Sequence, residues 1–527
     1  MMSEAAEQTG KLIAAIACDA RHAPIGTRSL LAEVLPQTLA RLRQVRGIDE
    51  IVLLGNDETL TQHGGRVLAL NERPASQEKR VRTARAWGLN AWRGGAGQVT
   101  VFDEDFHTAA LDAAAKATDA KHVLVINAYA TLLDVELTSR LVQHHLYKNH
   151  EMRLTYTPAA PGLSGIVLQA AMLSEMAAQH VLPGQLLGYD PGAPSMDSLI
   201  RDACMQVDPA LSKVQNRFLA DTQRARSVME QVATRSFASL AEMALEARRL
   251  SVPNAQPREI EIELTTQRLT TPPGSVKVER PAASADDWQR WLEQQKFLDD
   301  VLMTVGGDGD PLLAQNLVPA LQAIKRSGVL SVHLQTDLVS DMAPLAAVIE
   351  QGLVDVISIN FYGNDRGTYA AVAGADLFDT LMGNLRTLAD WTRSRGGLPL
   401  VVPRLLKVRQ TVGQLEDFFD TYVRACGWAV IDAPSDRAGA TSFAAVVDMA
   451  PAKRKPCRRI LDRMKIGADG RAVACDQDVA GKLALGAIGT HTIEQMWMGL
   501  NDVRALHNDG RWGELSPCAT CREWYRP

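Results

Sequence analysis

Four of the seven cysteines fall in the C-terminal stretch: Cys457, Cys475, Cys518 and Cys521. The last two form a C-x2-C pair, a spacing that lets two neighbouring thiolates chelate one centre. Four thiolates close a coordination shell, and that donor set suits either a 4Fe–4S cluster or a structural zinc. Cys18, Cys204 and Cys426 stand singly among apolar neighbours and read as small buried hydrophobes. A basic run precedes and follows Cys457: Lys453, Arg454, Lys455, Arg458 and Arg459. It either offsets the negative charge of a thiolate-bound metal or forms a solvated turn.

Local elements must bring these thiols together. Asp469-Gly470 supplies a tight hairpin turn that folds one strand back on the next, carrying Cys475 toward Cys457. Thr492-Ile-Glu-Gln495 is a capping box, so a helix starts there and returns the chain toward Cys518 and Cys521. The tail is turn-rich and short of apolar residues, so a metal is expected to staple it.

The rest of the chain alternates strand and helix. KLIAAIACDA, DEIVLLGND and KHVLVINA read as strands, with helices over SLLAEVLPQTLARLRQV, 106–118 and ELTSRLVQHHL. A second series runs from EIEIELTT through VLMTVGG, VLSVHLQT, VDVISIN and PLVVPRLL to WAVIDAP, with helices between. Such alternation predicts an α/β fold with parallel sheets. The expected division is 1–210, a helical connector and linker over 211–257, a βα barrel over 258–451, and a small cysteine-rich domain over 452–527.

Composition narrows the function classes. The 527 residues are 46% hydrophobic and 22% charged, with a formal net charge of −5. That balance gives no basic face for nucleic acid. No apolar run reaches the length needed to cross a bilayer. The N-terminus lacks the charged-then-apolar-then-small order of a signal peptide. A cytoplasmic protein is expected, with a small molecule or another protein as its partner.

The tail resembles the SPASM or shorter twitch extension of radical-SAM proteins. Its marks are a cysteine, a strand, the Asp469-Gly470 turn, G-x4-C from Gly470 to Cys475, L-G-x-I from Leu485, a helix bearing Trp497, and the closing C-x2-C. The resemblance implies one auxiliary 4Fe–4S cluster on the four cysteines. The 258–451 series similarly resembles a partial radical-SAM barrel in the order and wording of its strands. In that family the first strand is followed by C-x3-C-x2-C. Here those positions hold Arg268, Pro272 and Ser275, and no cysteine lies between Cys204 and Cys426. The glycine-rich VGGDGDPLL and the HLQTD strand match the family's cofactor-contacting segments, so the resemblance offers Gly306, Gly307, Asp310 and Thr336 as candidate contacts to S-adenosylmethionine.

The first 210 residues resemble a Rossmann-like GT-A cytidylyltransferase. Arg21, Gly26, Thr27 and Arg28 are the candidate nucleotide-binding remnant. No lysine occurs between Lys11 and Lys79, and Tyr129 stands where the family has its metal-binding Asp, with Asp134 at a helix cap. Magnesium held by a carboxylate normally supplies much of the charge stabilisation for phosphoryl transfer. Together the resemblances imply a degenerate radical-SAM/SPASM protein acting as a binding, carrier or regulatory partner. The competing expectation is an enzyme, using S-adenosylmethionine non-radically or transferring a nucleotide to a sugar.

Overall fold

The computed structural model describes residues 10–18, 31–71, 73–88, 96–147, 152–194, 197–212, 214, 216–250, 256–276, 280, 282–442, 446–447 and 449–526. The chain forms two compact units, Met1–Pro253 and Asn254–Pro527. Both are mixed α/β with largely parallel sheets, as the alternation predicts.

Among the described residues the first unit is built on six strands: β1 Leu12–Ala17, β2 Glu50–Leu54, β3 Arg66–Leu68, β4 His122–Asn127, β5 Leu154–Thr155 and β6 Ile166–Gln169. Their order is β3-β2-β1-β4-β6-β5. β1 pairs in parallel with β2 and β4, whereas β6 runs antiparallel to β4. Every residue of β1 is buried, which fits a central strand covered on both faces. Asp134 accepts from the Leu137 amide at 2.7 Å and so caps the helix Val135–Tyr147. Tyr129 is buried in the turn after β4. Arg21, Gly26, Thr27 and Arg28 lie outside the described residues. Within 211–257 two helices, Gln223–Ala233 and Leu240–Leu250, put Val228, Met229, Val232, Ala244 and Ala247 into this unit's core.

Among the described residues the second unit carries nine strands: β7 Glu259–Ile262, β8 Leu302–Val305, β9 Ser331–Thr336, β10 Val356–Phe361, β11 Leu400–Leu406, β12 Val430–Asp432, β13 Arg463–Ile466, β14 Arg471–Val473 and β15 Ala484–Ala487. β7 to β12 are parallel and stand in sequence order. This one-way winding is that of a βα barrel left open. The cysteine-bearing tail continues the same sheet. β13 lies parallel to β7, from Arg463 beside Glu259 to Ile466 beside Ile262; β14 folds back antiparallel to β13, and β15 antiparallel to β14. Gly470 turns the β13–β14 hairpin at φ +75°. A Cβ there would also sit 2.6 Å from Ile488. Met464, Ile466, Trp497, Cys457 and Cys518 belong to one apolar cluster with Ile260, Ile262 and Val305. The tail therefore takes its core from the barrel strands, and apolar packing holds it as well as any metal.

Among the described residues, no helix is long and apolar enough to cross a membrane.

Candidate metal centre

The four cysteines come from three local elements. Cys457 precedes the short helix Arg459–Asp462, Cys475 follows β14, and Cys518 and Cys521 sit in the terminal turns. The Cys457 amide donates to His507 Nδ1 at 3.3 Å, on the helix Asn501–Asn508 begun after the Thr492-capped turn. That capping box is present, with both Thr492 and Gln495 engaged. The Cys521 amide donates to Cys518 O at 3.3 Å, closing the C-x2-C turn.

All four are free thiols. Cys457 interacts electrostatically with each of Cys475, Cys518 and Cys521. Burial raises each thiol, Cys518 to about 12 and Cys521 to about 11; neighbouring sulfurs add to the shift at Cys475, Cys518 and Cys521, and the Asp476 charge adds at Cys457 and Cys475. Buried thiols this reluctant to ionise are inert unless a metal displaces the proton. As the side chains stand, no three His, Cys, Asp or Glu groups among the described residues converge closely enough to hold an ion.

The surroundings test whether an anionic sulfur centre suits this place. Arg459 interacts electrostatically with Cys457 and Cys475, and its Nη1 pairs with Asp476. Its buried Nε has no acceptor among the described residues. Arg454 donates from Nη2 to Cys518 O at 2.7 Å and lies over the Trp512 ring, yet its buried Nε is also without an acceptor. Buried N–H donors are normally satisfied. Two guanidinium donors with no acceptor beside four sulfurs fit thiolates carrying negative charge, and so fit a thiolate-bound cluster or zinc.

Residues 457–522 match the SPASM iron–sulfur cluster-binding domain. The match begins at Cys457 and includes the other three cysteines. A separate likeness joins the chain to an uncharacterized protein of Treponema pallidum (strain Nichols), 27% identical over 128 residues. That match covers 23% of this chain and only 34% of the relative, about a third of its length. Among solved structures, BtrN in complex with AdoMet and 2-DOIA is 18% identical, with a TM-score of 0.33 over 50% of this chain and 92% of that one. Streptococcus suis SuiB bound to precursor peptide SuiA is 12% identical, with a TM-score of 0.39 over 54% and 75%.

Upstream of the SPASM segment, the mouth of the barrel holds a different arrangement. Arg268 follows β7 and forms a two-pronged pair with Asp337, Nε to Oδ2 and Nη2 to Oδ1, both at 2.9 Å. Asp337 also accepts from Thr270, from Asn360 Nδ2 at 2.9 Å and from Tyr362 Oη at 2.7 Å. Burial alone would raise this carboxyl, but the Arg268 charge and these donors outweigh it and hold the pKa below its ordinary value. Pro272 and Ser275 make a turn, the Ser275 amide donating to Pro272 O at 3.0 Å.

Gly306, Gly307, Asp310 and Thr336 are brought together at the ends of β8 and β9, but their polar atoms face one another and the chain. The Gly306 amide donates to Ile262 O at 3.0 Å. Thr336 Oγ1 donates to Asp310 at 2.9 and 3.0 Å, and the Leu312 and Asp337 amides donate to the same carboxylate at 3.0 Å. At Gly309 a Cβ would meet Thr265 O at 2.0 Å, because the segment after β7 lies directly on the loop.

Between the mouth and the cysteines runs a set of buried charges that sequence reading missed. Lys465 Nζ lies 3.3 Å from Glu261 and 3.2 Å from both Glu263 and Asp308. Arg437 joins Asp308 at 2.9 Å and Asp476 at 3.5 Å. The available signal was Lys465 itself, a charge between the apolar Met464 and Ile466 of β13.

Proposed function

We propose that the chain is a SPASM-type iron–sulfur protein holding one cluster on Cys457, Cys475, Cys518 and Cys521, without radical chemistry at its barrel mouth. It acts as a binding, carrier or regulatory partner. The observation that carries this reading is the Arg268–Asp337 pair. The segment that would hold a second cluster offers a guanidinium to a buried carboxylate, and neither arginine nor proline can replace thiolate on iron. Asp310 and Thr336 engage each other in place of a ligand. At the tail, the buried Arg454 and Arg459 Nε donors, without acceptors among the described residues, and the domain match support a thiolate-bound cluster. When bound, such a cluster supplies one-electron redox capacity or structural bracing. The chain's own part is to keep the sulfurs buried and to set cations beside them.

The test is iron, sulfide and zinc per chain after anaerobic reconstitution. About four irons and four sulfides are expected, lost on Cys457→Ala, Cys475→Ala, Cys518→Ala or Cys521→Ala and kept on Cys426→Ala. With dithionite and S-adenosylmethionine, no 5′-deoxyadenosine should form. Zinc without sulfide would replace the cluster, and about eight irons per chain would sink the single-cluster reading.

A further inference from the structure

We infer that Arg459 sets the reduction potential of the iron–sulfur group on the four cysteines, and that a chain of buried ion pairs extends this control from the barrel mouth. The inference rests on the cluster assignment above and adds a role for residues that bind no metal.

Three observations carry it. First, the Arg459 guanidinium stands beside two of the sulfurs, Cys457 and Cys475, with one buried donor lacking an acceptor among the described residues. A thiolate-bound cluster is anionic, and reduction adds a further negative charge. A buried cation that interacts electrostatically with two of the ligands therefore favours the reduced form, since charges interact strongly where water is excluded. Second, Arg459 is not free to swing away, because Asp476, the neighbour of Cys475 in sequence, holds its Nη1. Third, the pairing continues inward without a gap. Arg437 bridges Asp476 and Asp308: Nη1 donates to Asp476 O at 2.9 Å and Nη2 to Asp308 Oδ1 at 2.9 Å. Lys465 and the Asp308 amide bind Glu263, the amide at 2.9 Å. Arg268 Nη1 reaches Asp308 O at 3.3 Å while its other nitrogens hold Asp337. Alternating charges thus run from the sulfurs to the mouth, and changing one changes the field at the next. Arg459 is a positioning residue here, acting through charge on a group that the cysteines ligate.

The experiment is a redox titration of the reconstituted full chain, read by visible absorption and electron paramagnetic resonance. Arg459→Gln removes the charge and should keep its iron and sulfide. At a fixed ambient potential its ratio of reduced to oxidised cluster should fall about tenfold, a shift of about 59 mV to lower potential for one electron. Arg459→Lys keeps the charge and should restore most of the ratio. Asp308→Asn removes an anion farther along the chain, so its ratio should rise, by less than about threefold. An unchanged potential in Arg459→Gln overturns the inference. If that variant loses the cluster, Asp308→Asn decides: a raised ratio supports the ion-pair chain and an unmoved one overturns it. Wild-type protein without iron and sulfide would instead defeat the cluster assignment, before any variant is made.

Discussion

The barrel mouth and the four-cysteine site lie in one unit and share one sheet, yet they handle buried charge in opposite ways. At the mouth, the Asp337 carboxylate has five donors from four residues, and Arg268 uses all three of its nitrogen positions. At the cysteines, two arginines keep buried Nε donors without acceptors among the described residues, beside thiols that burial keeps protonated. At the mouth the Arg268–Asp337 pair is saturated by the chain's own residues, although the buried Tyr369 hydroxyl close by has no partner among the described residues. The cysteine site leaves two guanidinium donors open among the described residues, which suits the thiolate-bound centre proposed above. A satisfied polar network is evidence of structure, whereas an unsatisfied one beside soft ligands is evidence of binding.

The largest effect that would break this contrast comes from the mouth. Asp337→Ala leaves Arg268 buried without its counter-ion and should cost about 3–5 kcal/mol of stability, measured by denaturant unfolding of the full chain. The double change Arg268→Met with Asp337→Leu should recover most of that, because removing both charges also removes the need to pair them. If Asp337→Ala proves neutral, the mouth is not the closed network described here.

An intermediate effect separates the two sites by pH. Burial first, and then the Asp337 charge, raises the Asp310 carboxyl from 3.8 to about 6. A raised carboxyl contributes its stability in full below its ordinary value and loses it as pH rises through the folded value. Between about pH 4 and pH 7 this group should therefore cost up to about 1.4 kcal/mol per pH unit. Asp337 runs the other way, its share being lost as pH falls below its ordinary 3.8. Asp310→Asn should remove the Asp310 share of the slope in that window. The metal-free thiols should add none there, with Cys518 and Cys521 near 12 and 11. Burial lowers His507, beside Cys457, from 6.5 to about 4, so its share is lost as pH falls through that window and opposes the Asp310 slope. Unfolding midpoints across pH, in wild type and Asp310→Asn, provide the check.

The smallest effect is at the rim of the cysteines. Arg454→Gln removes the contact over Trp512, 5.0 Å from the ring centroid, and the bond to Cys518 O. A loss of about 0.5–1 kcal/mol is expected, read as a small fall in melting temperature with iron content unchanged. Full loss of iron would make Arg454 essential to the site.

Short-range features were legible in the chain itself. The strand–helix alternation gave both α/β units, because apolar runs broken by turns need only local pattern. The Asp469-Gly470 turn, the Thr492–Gln495 capping box and the Asp134 cap all involve residues within four positions of one another. The closing Cys518–Cys521 pair pointed to a thiolate site for the same reason, and resemblance to the SPASM pattern joined Cys457 and Cys475 to it. The absence of cysteine at 268, 272 and 275 was equally plain, but what stands there in its place was not. Arg268 meets Asp337 across 69 positions, Arg437 meets Asp308 across 129, and Lys465 meets Asp308 across 157. Nothing local marks such pairs, since a buried charge and a solvated one look alike in sequence. Only the tertiary fold, by laying β13 in parallel against β7, buried these groups together and so decided that the tail shares the barrel's core and its charges.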